Sequence, residues 1–348
     1  MQQEELSASE RYARAKVKQS APSYNSFLEL LEFALDPFQE QACHALAKGK
    51  GVLVAAPTGA GKTIVGEFAI HLAIEKKQKV FYTTPIKALS NQKFAELVAR
   101  YGPERVGLLT GDTNTNSDAQ IVVMTTEVLR NMIYANSDSL IELGYVVMDE
   151  VHYLADRFRG AVWEEVILHL PKDVKLVSLS ATVSNAEEFG AWLEEVRGDT
   201  EIVVSEIRPV PLDQHVLFGD ELMELFSPGS KNQRVNSDLV QKHTAKLRIP
   251  IGKYTKGKKP RGEMDRRFSR IPKVSKPEVV EILEDNDLLP AIFFIFSRAG
   301  CDAAVRACHQ WGVRLTTKEE QAEIRRFVEE KTSSIADEDL ATLGYFEW

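Results

Sequence analysis

The sequence has no apolar run long enough to cross a bilayer, almost no cysteine and no basic leader. Its longest apolar stretches, residues 51–56 and 291–296, are a third of the ~20 residues that a membrane helix needs, so no membrane span is expected. The opening Met1-Gln-Gln-Glu-Glu-Leu6 has neither a basic n-region nor an apolar h-region and reads as lacking a secretory signal. Three cysteines cannot build a disulfide framework. Cys43 stands alone, while Cys301 and Cys308, seven apart in a helical pattern, share one helix face and read as buried free thiols. A zinc site needs two more ligands at short spacing, and only His309 is near. This cysteine usage leads us to expect a cytoplasmic location.

A global excess of positive charge is also missing. The net charge is −8, yet between Lys242 and Lys276 thirteen Lys/Arg face two acids, Glu263 and Asp265, a local +11 that leaves −19 for the rest. This segment reads either as an auxiliary nucleic-acid contact, with Tyr254 and Phe268 as stacking groups, or as a solvated insertion.

What is present is an ordinary globular composition: 348 residues, 44% hydrophobic and 27% charged, enough for two domains. Residues 1–25 read as a polar tail. From 26 to 211, short β-branched runs alternate with helical patterns, predicting strands at 51–56, 80–84, 106–110, 121–125, 145–149, 176–180 and 202–205. Their near-continuous apolar character suits parallel strands covered on both faces, a doubly wound α/β sheet. Residues 212–277 read as a linker with the basic insertion, punctuated by Pro and Gly. A helix at 278–284, a strand at 291–297 and a helix at 299–311 then open a second α/β unit, expected over 278–348 as a truncated second domain.

The chemistry concentrates after two of these strands. Ala56-Pro-Thr-Gly-Ala-Gly-Lys-Thr63 follows a strand and opens a helix, the arrangement of a P-loop, although its first position is Ala56 instead of Gly. Thr58, Gly59, Ala60 and Gly61 supply backbone N–H groups around phosphate oxygens at the positive end of the helix. Lys62 reaches the β/γ-phosphates, and Thr63 offers a hydroxyl to Mg²⁺. The strand ending Met148-Asp149-Glu150 presents two carboxylates on opposite sides, Asp149 for Mg²⁺ and Glu150 to orient and deprotonate water. The pair predicts an NTPase using Mg²⁺.

Asp149-Glu-Val-His152 followed by Ser180-Ala-Thr182 resembles motifs II and III of the superfamily 2 DExH-box helicases. Leu35-Asp-Pro-Phe-Gln39 resembles their adenine-recognition motif, which implies that Gln39 pairs with the base and that Phe33 or Phe38 packs beside it. Thr83 to Gln92, Thr110-Gly-Asp112 and Met124 to Arg130 resemble the loops that hold the nucleic-acid backbone, with Thr84, Pro85, Lys87, Gly111, Asp112, Thr126, Glu127 and Arg130 as the implied contacts. Hydroxyls and N–H groups at Thr84, Ser90 and Thr126, with Lys87, suit phosphodiesters better than base edges. The same Thr-Thr-Pro and Thr-Thr-Glu runs also serve as plain helix caps. Ile207 to Leu212 and Phe296 to Cys301 resemble the inter-domain linker and motif IV. The resemblance spans roughly residues 30–310 and points to the branch containing exosome-associated RNA helicases and bacterial HelY-type proteins, with a RecA-like fold.

On that resemblance the chain is expected to be the N-terminal part of an ATP-dependent helicase acting on single-stranded RNA, with DNA not excluded, and with an exosome-like or degradosome ribonuclease as partner. Ser180, Thr182 and His152 would relay nucleotide state to the second domain, though each also has a plain structural reading. The family's arginine-rich motif VI, Gln-x-x-Gly-Arg-x-Gly-Arg, does not occur; Gly-Arg is absent even as a dipeptide. Weak ATP·Mg²⁺ binding and poor turnover are therefore expected of these 348 residues, and a non-catalytic binding module is the alternative of another class.

Overall fold

The computed structural model describes residues 22–181, 186–227, 234–247, 274–333, 335–342 and 344–345. The chain divides into one unit ending at Leu212 and a second beginning at Asp213. The first holds an eight-stranded sheet: β1 (Gly51–Ala55), β2 (Lys79–Thr84), β3 (Val106–Leu109), β4 (Asn114–Thr115), β5 (Ile121–Thr125), β6 (Leu143–Met148), β7 (Lys175–Ser180) and β8 (Thr200–Val204). Their spatial order is β4-β3-β5-β2-β6-β7-β1-β8, and every neighbouring pair is parallel except the β3–β4 hairpin. The seven strands predicted within residues 26–211 all form, within a few residues of their expected limits. The two-residue β4 has no apolar pattern and escaped prediction.

Among the described residues, seven α-helices accompany this sheet: α1 (Pro22–Leu28), α2 (Pro37–Ala47), α3 (Thr63–Glu75), α4 (Lys87–Tyr101), α5 (Thr126–Tyr134), α6 (Gly160–His169) and α7 (Ala186–Arg197). Alternate strand residues feed two cores. Val52, Val54, Val80 and Tyr82 meet Phe27, Leu46, Phe68 and Leu97 on one face; Leu53, Phe81 and Met148 meet Leu129, Trp163 and Leu193 on the other. Burying each large apolar side chain is worth about 1.5–3 kcal/mol, which is why a sheet covered on both faces is stable. The α3 backbone comes close to the sheet at Gly66, where a Cβ would lie 3.1 Å from Val147 Cγ1 and 3.3 Å from Tyr82 Cε2.

The expected tail ends earlier than residue 25. Tyr24 and Phe27 of α1 are buried, with the Tyr24 ring 4.1 Å from His44 and the Phe27 ring 5.0 Å from Phe68. Ser26 Oγ also bonds His71 Nε2 at 2.9 Å and donates to Glu75 Oε1 at 3.0 Å, tying α1 to α3. Two aromatics in a polar stretch of only a few residues carry too weak a periodic signal to reveal this.

In the second unit, β9 (His215–Phe218) and β10 (Glu221–Glu224) form an antiparallel hairpin inside the stretch read as a linker. Helices α8 (Ser237–Leu247), α9 (Lys276–Asp285), α10 (Arg298–Trp311), α11 (Lys318–Thr332) and α12 (Asp337–Thr342) follow. Capping boxes at Ser275/Glu278 and Thr317/Glu320 start α9 and α11, and the Trp311 indole N–H donates to Glu281 at 2.8 Å to join α10 to α9. The strand expected at 291–297 does not form. Ile292, Phe294 and Phe296 are 82%, 83% and 104% exposed, and among the described residues no strand pairs with them. A strand exists only through its ladder, so β propensity without a neighbour leaves the run unpaired. The same lack of a covering layer corrects the thiol expectation: Cys301 is exposed and Cys308 half-buried, while Cys43 alone is buried. The basic run lies mostly outside the described residues, as does Thr182.

Candidate functional site: a phosphate loop facing two carboxylates

Sheet register gathers the predicted residues at one edge. Ala55 pairs with Ser180, Thr83 with Met148 and Thr84 with Thr125, so the segments that follow these strands all emerge at their C-terminal ends. Loops at this edge of an open α/β sheet form its ligand crevice.

Between β1 and α3, Gly59 and Gly61 adopt φ of +84° and +81°, a left-handed backbone that favours glycine. A Cβ at Gly61 would also lie 2.7 Å from Gln39 Nε2, so that side chain would have to shift. Gln39 is buried, and its side-chain amide donates to Gly61 O at 3.0 Å and to Ala60 O at 3.3 Å. Its Oε1 accepts the Asp36 N–H at 2.9 Å, closing the capping box of α2. Gln39 thus buttresses the loop from behind. Phe38 packs partly into the core, Phe33 is exposed, Thr58 is exposed and Ala60 is buried.

Lys62 and Thr63 stand where α3 begins. The Lys62 ammonium donates to Ala56 O at 2.8 Å and Pro57 O at 3.0 Å, spanning the loop's entrance. Burial pulls its pKa below the ordinary lysine value, against the opposing fields of Glu150 and Asp149. Those carboxylates follow β6. Asp149 Oδ1 accepts the Glu150 N–H at 3.0 Å and Oδ2 accepts the Tyr82 hydroxyl at 2.8 Å. Glu150 is a non-glycine residue at φ +53°, ψ +44°, a conformation costing about 1–3 kcal/mol that persists where surrounding structure imposes it. The twist turns its carboxylate toward His152, whose Nδ1 lies 3.3 Å from Glu150 Oε2 and 3.5 Å from the Ala181 N–H. His152 therefore links the β6 and β7 loops. Ser180 Oγ is buried without a hydrogen-bond partner among the described residues.

The residues read as strand contacts divide. Thr84, Ser90 and Thr126 are buried, contrary to the exposed hydroxyls expected. Thr84 Oγ1 meets Ser90 Oγ at 2.7 Å and Ile86 O at 3.1 Å, and Thr126 Oγ1 donates to Thr84 O at 3.4 Å. These hydroxyls brace the strand-to-helix turns, whose backbone groups need partners once water is excluded. Pro85 is buried as well, and its carbonyl accepts from Arg159 at 3.4 Å. Lys87, Gly111 and Asp112 remain exposed, with Lys87 and Asp112 ion-paired. Glu127 and Arg130 are half-buried, and Arg130 Nε lies 3.7 Å from Glu165. Tyr82 and Arg159 are the site residues that sequence reasoning missed; an aromatic inside an apolar strand carries no sign that its hydroxyl meets a carboxylate.

No cluster of three or more His, Cys, Asp or Glu that could hold a metal ion occurs among the described residues. The oxygen donors that would be available to a divalent cation beside a nucleotide's phosphates are the half-buried Thr63 hydroxyl and the Asp149 carboxylate, a sparse set of the kind that suits Mg²⁺.

Residues 36–189 match the model of the DEAD/DEAH box helicase family. The chain is 56% identical over 328 residues to the probable helicase HelY of Mycobacterium leprae, covering 92% of this chain and 35% of that protein. It is 40% identical over 280 residues to the ATP-dependent RNA helicase mtr4 of Schizosaccharomyces pombe, covering 78% of this chain and 24% of that one. Against the mouse exosome RNA helicase MTR4 the figures are 36% over 311 residues, 88% and 29%. The chain thus spans only about a quarter to a third of the length of these relatives. Within that span, the loop glycines, the Lys62 ammonium and the paired carboxylates fall inside the matched region, and the chain carries a DEAD/DEAH box helicase domain.

Proposed function

We propose that this domain binds and hydrolyses ATP and couples hydrolysis to movement along single-stranded RNA. The observation that carries the reading is the sheet register that brings the loop after β1, which ends at Lys62, and the end of β6, which leads into Asp149 and Glu150, to the same edge of the sheet, where Lys62 feels the fields of both carboxylates. In this reading Gly59, Ala60 and Gly61 present N–H groups to the phosphates, with Thr58 at the mouth of the loop and Lys62 exchanging its loop carbonyls for phosphate oxygens. Thr63 and Asp149 would hold Mg²⁺, which supplies neutralisation of phosphate charge when bound. Glu150 orients the attacking water and accepts its proton, and His152 carries the position of Glu150 to the loop after Ser180. Phe38 and Gln39 border the base.

The assignment to RNA draws on the relatives named as RNA helicases, and a ribonuclease assembly as partner draws on the mouse protein's name. Lys87, Gly111 and Arg130 contact the strand, while Thr84, Pro85, Thr126 and Glu127 shape the turns that present them. Because the contacts are to phosphodiesters, binding has little base preference and weakens steeply with salt. Lacking a motif VI arginine, these residues alone turn ATP over slowly and do not unwind; a missing arginine finger costs ~10³–10⁵ in rate. We place the protein in the cytoplasm. Binding of a fluorescent ATP analogue with and without Mg²⁺, and competition between matched single-stranded RNA and DNA oligonucleotides at fixed salt, test the proposal. Nucleotide affinity unchanged by Lys62→Ala, or robust unwinding by these residues alone, contradicts it.

A further inference from the structure

Tyr82 is fully buried at the centre of the sheet, two residues before the end of β2, from which the chain passes through Pro85 to Lys87 at the start of α4. Its neighbours Val80 and Phe81 are apolar, and the ring lies beneath α3, close to Gly66. Nothing in that packing calls for a hydroxyl: a phenyl ring fills the same volume, and a buried hydroxyl without an acceptor is costly. The hydroxyl donates to Asp149 Oδ2 at 2.8 Å.

Among the described residues, the other hydrogen bonds of Asp149 are to backbone groups. Its N–H donates to Thr83 O at 3.0 Å, fixing where the residue sits, and its Oδ1 accepts the Glu150 N–H at 3.0 Å. Neither fixes the rotation of the carboxylate plane, because one hydrogen bond to Oδ1 leaves the group free to swing about that contact. The Tyr82 hydroxyl supplies the second point. Its acceptor needs no movement of the ring, since Tyr82 is clamped between β5 and β6 through the pairs Tyr82–Val123 and Tyr82–Val147.

We propose that Tyr82 is a positioning residue for the Asp149 carboxylate, holding it at the orientation in which it serves Mg²⁺, and that this is why a hydroxyl stands at this core position. Side chains that bind a metal are oriented by partners behind them, and loss of such a partner typically weakens metal affinity or activity 10–100-fold. The inference rests on reading Asp149 as the metal carboxylate. The strand leading to Lys87 would thereby also orient the carboxylate that would hold the nucleotide's metal.

Tyr82→Phe removes one oxygen and keeps the ring. Nucleotide affinity of the 348-residue chain is measured with a fluorescent ATP analogue, first in EDTA and then over a Mg²⁺ titration, with melting temperature as the folding control. The expected result is an unchanged affinity in EDTA and a Mg²⁺ concentration for half-maximal enhancement raised about 10-fold or more, as for other lost partners of metal ligands. In an Asp149→Ala background the same Tyr82→Phe change has no further effect, since groups acting through one contact are not additive. A Mg²⁺ requirement equal to wild type in a folded Tyr82→Phe chain overturns the inference alone. If wild type itself gains nothing from Mg²⁺, the inference and the metal reading of Asp149 fall together. Failure of Tyr82→Phe to fold while Asp149→Ala folds normally also overturns it, because the hydroxyl then serves the core and not the carboxylate.

Discussion

Lys87 and Asp112, which the sequence suggests as two separate contacts to a nucleic-acid strand, are ion-paired with each other across the exposed loops after β2 and β3. Hydrogen bonding to Lys87 is the main reason that the Asp112 carboxyl lies below its ordinary pKa, with Thr110 Oγ1 donating to its other oxygen at 3.1 Å. The acid therefore occupies the cation that a phosphate would use. Asp112→Asn is expected to raise affinity for a single-stranded oligonucleotide several-fold at low salt. It should also steepen the dependence on salt, since each additional phosphate neutralised adds about 0.7 to the slope for single strands. Fluorescence anisotropy over a KCl series reads both, and Lys87→Ala is expected to move the slope the opposite way. An unaltered slope in both variants means the pair lies off the strand's path.

The two carboxylates after β6 should separate in their effects. Glu150→Gln preserves size and the left-handed backbone but removes the base, so nucleotide still binds while turnover falls by roughly 10²–10⁴, the usual worth of a general base. Lys62→Ala instead loses nucleotide affinity. Steady-state ATPase alongside equilibrium binding distinguishes the two, and equal loss of binding in both variants contradicts the assigned division of roles.

Helix α1 is integral to the first unit's stability. Phe27 is completely buried against Phe68, and Phe27→Ala is expected to destabilise the unit by about 3–5 kcal/mol, the range for a buried Phe cut to Ala. Urea unfolding checks it; a loss under about 1 kcal/mol, near the scale of ordinary surface changes, would show α1 to be only loosely attached.

The thiols offer a test of burial that needs no mutation. Burial, aided by Glu40, pushes the Cys43 pKa far above that of a free thiol, so the folded state favours the protonated, unreactive form throughout the neutral and mildly alkaline range. Cys301 is exposed and Cys308 half-buried. At about pH 8, near the free-thiol pKa, alkylation of the native chain is expected to modify Cys301 first and to spare Cys43 until denaturant is added. Mass analysis of peptides gives the order, and early labelling of Cys43 would mean that α2 opens readily.

Much of this is legible in the amino-acid sequence alone. Parallel strands covered on both faces announce themselves as apolar runs, and Gly59, Gly61, Lys62 and Thr63 stand at a spacing that backbone geometry and phosphate chemistry both demand. The edge of the sheet where Asp149 and Glu150 emerge follows from the same reasoning. The run at 291–297 misled for a physical reason: composition reports a tendency to pair, whereas the strand itself depends on a partner that composition cannot supply.

Local sequence, then, determined the doubly wound fold, the phosphate loop and the two carboxylates, because each is set by periodicity or by residues adjacent in the chain. Tertiary structure alone decided that Thr84, Ser90 and Thr126 turn inward, that Lys87 meets Asp112, that Gln39 supports the loop and that Tyr82 reaches Asp149. Apart from the Thr84–Ser90 bracing within one turn, these contacts join residues on different strands and loops. Their partners are chosen by sheet order and register, which the packing of the whole unit sets.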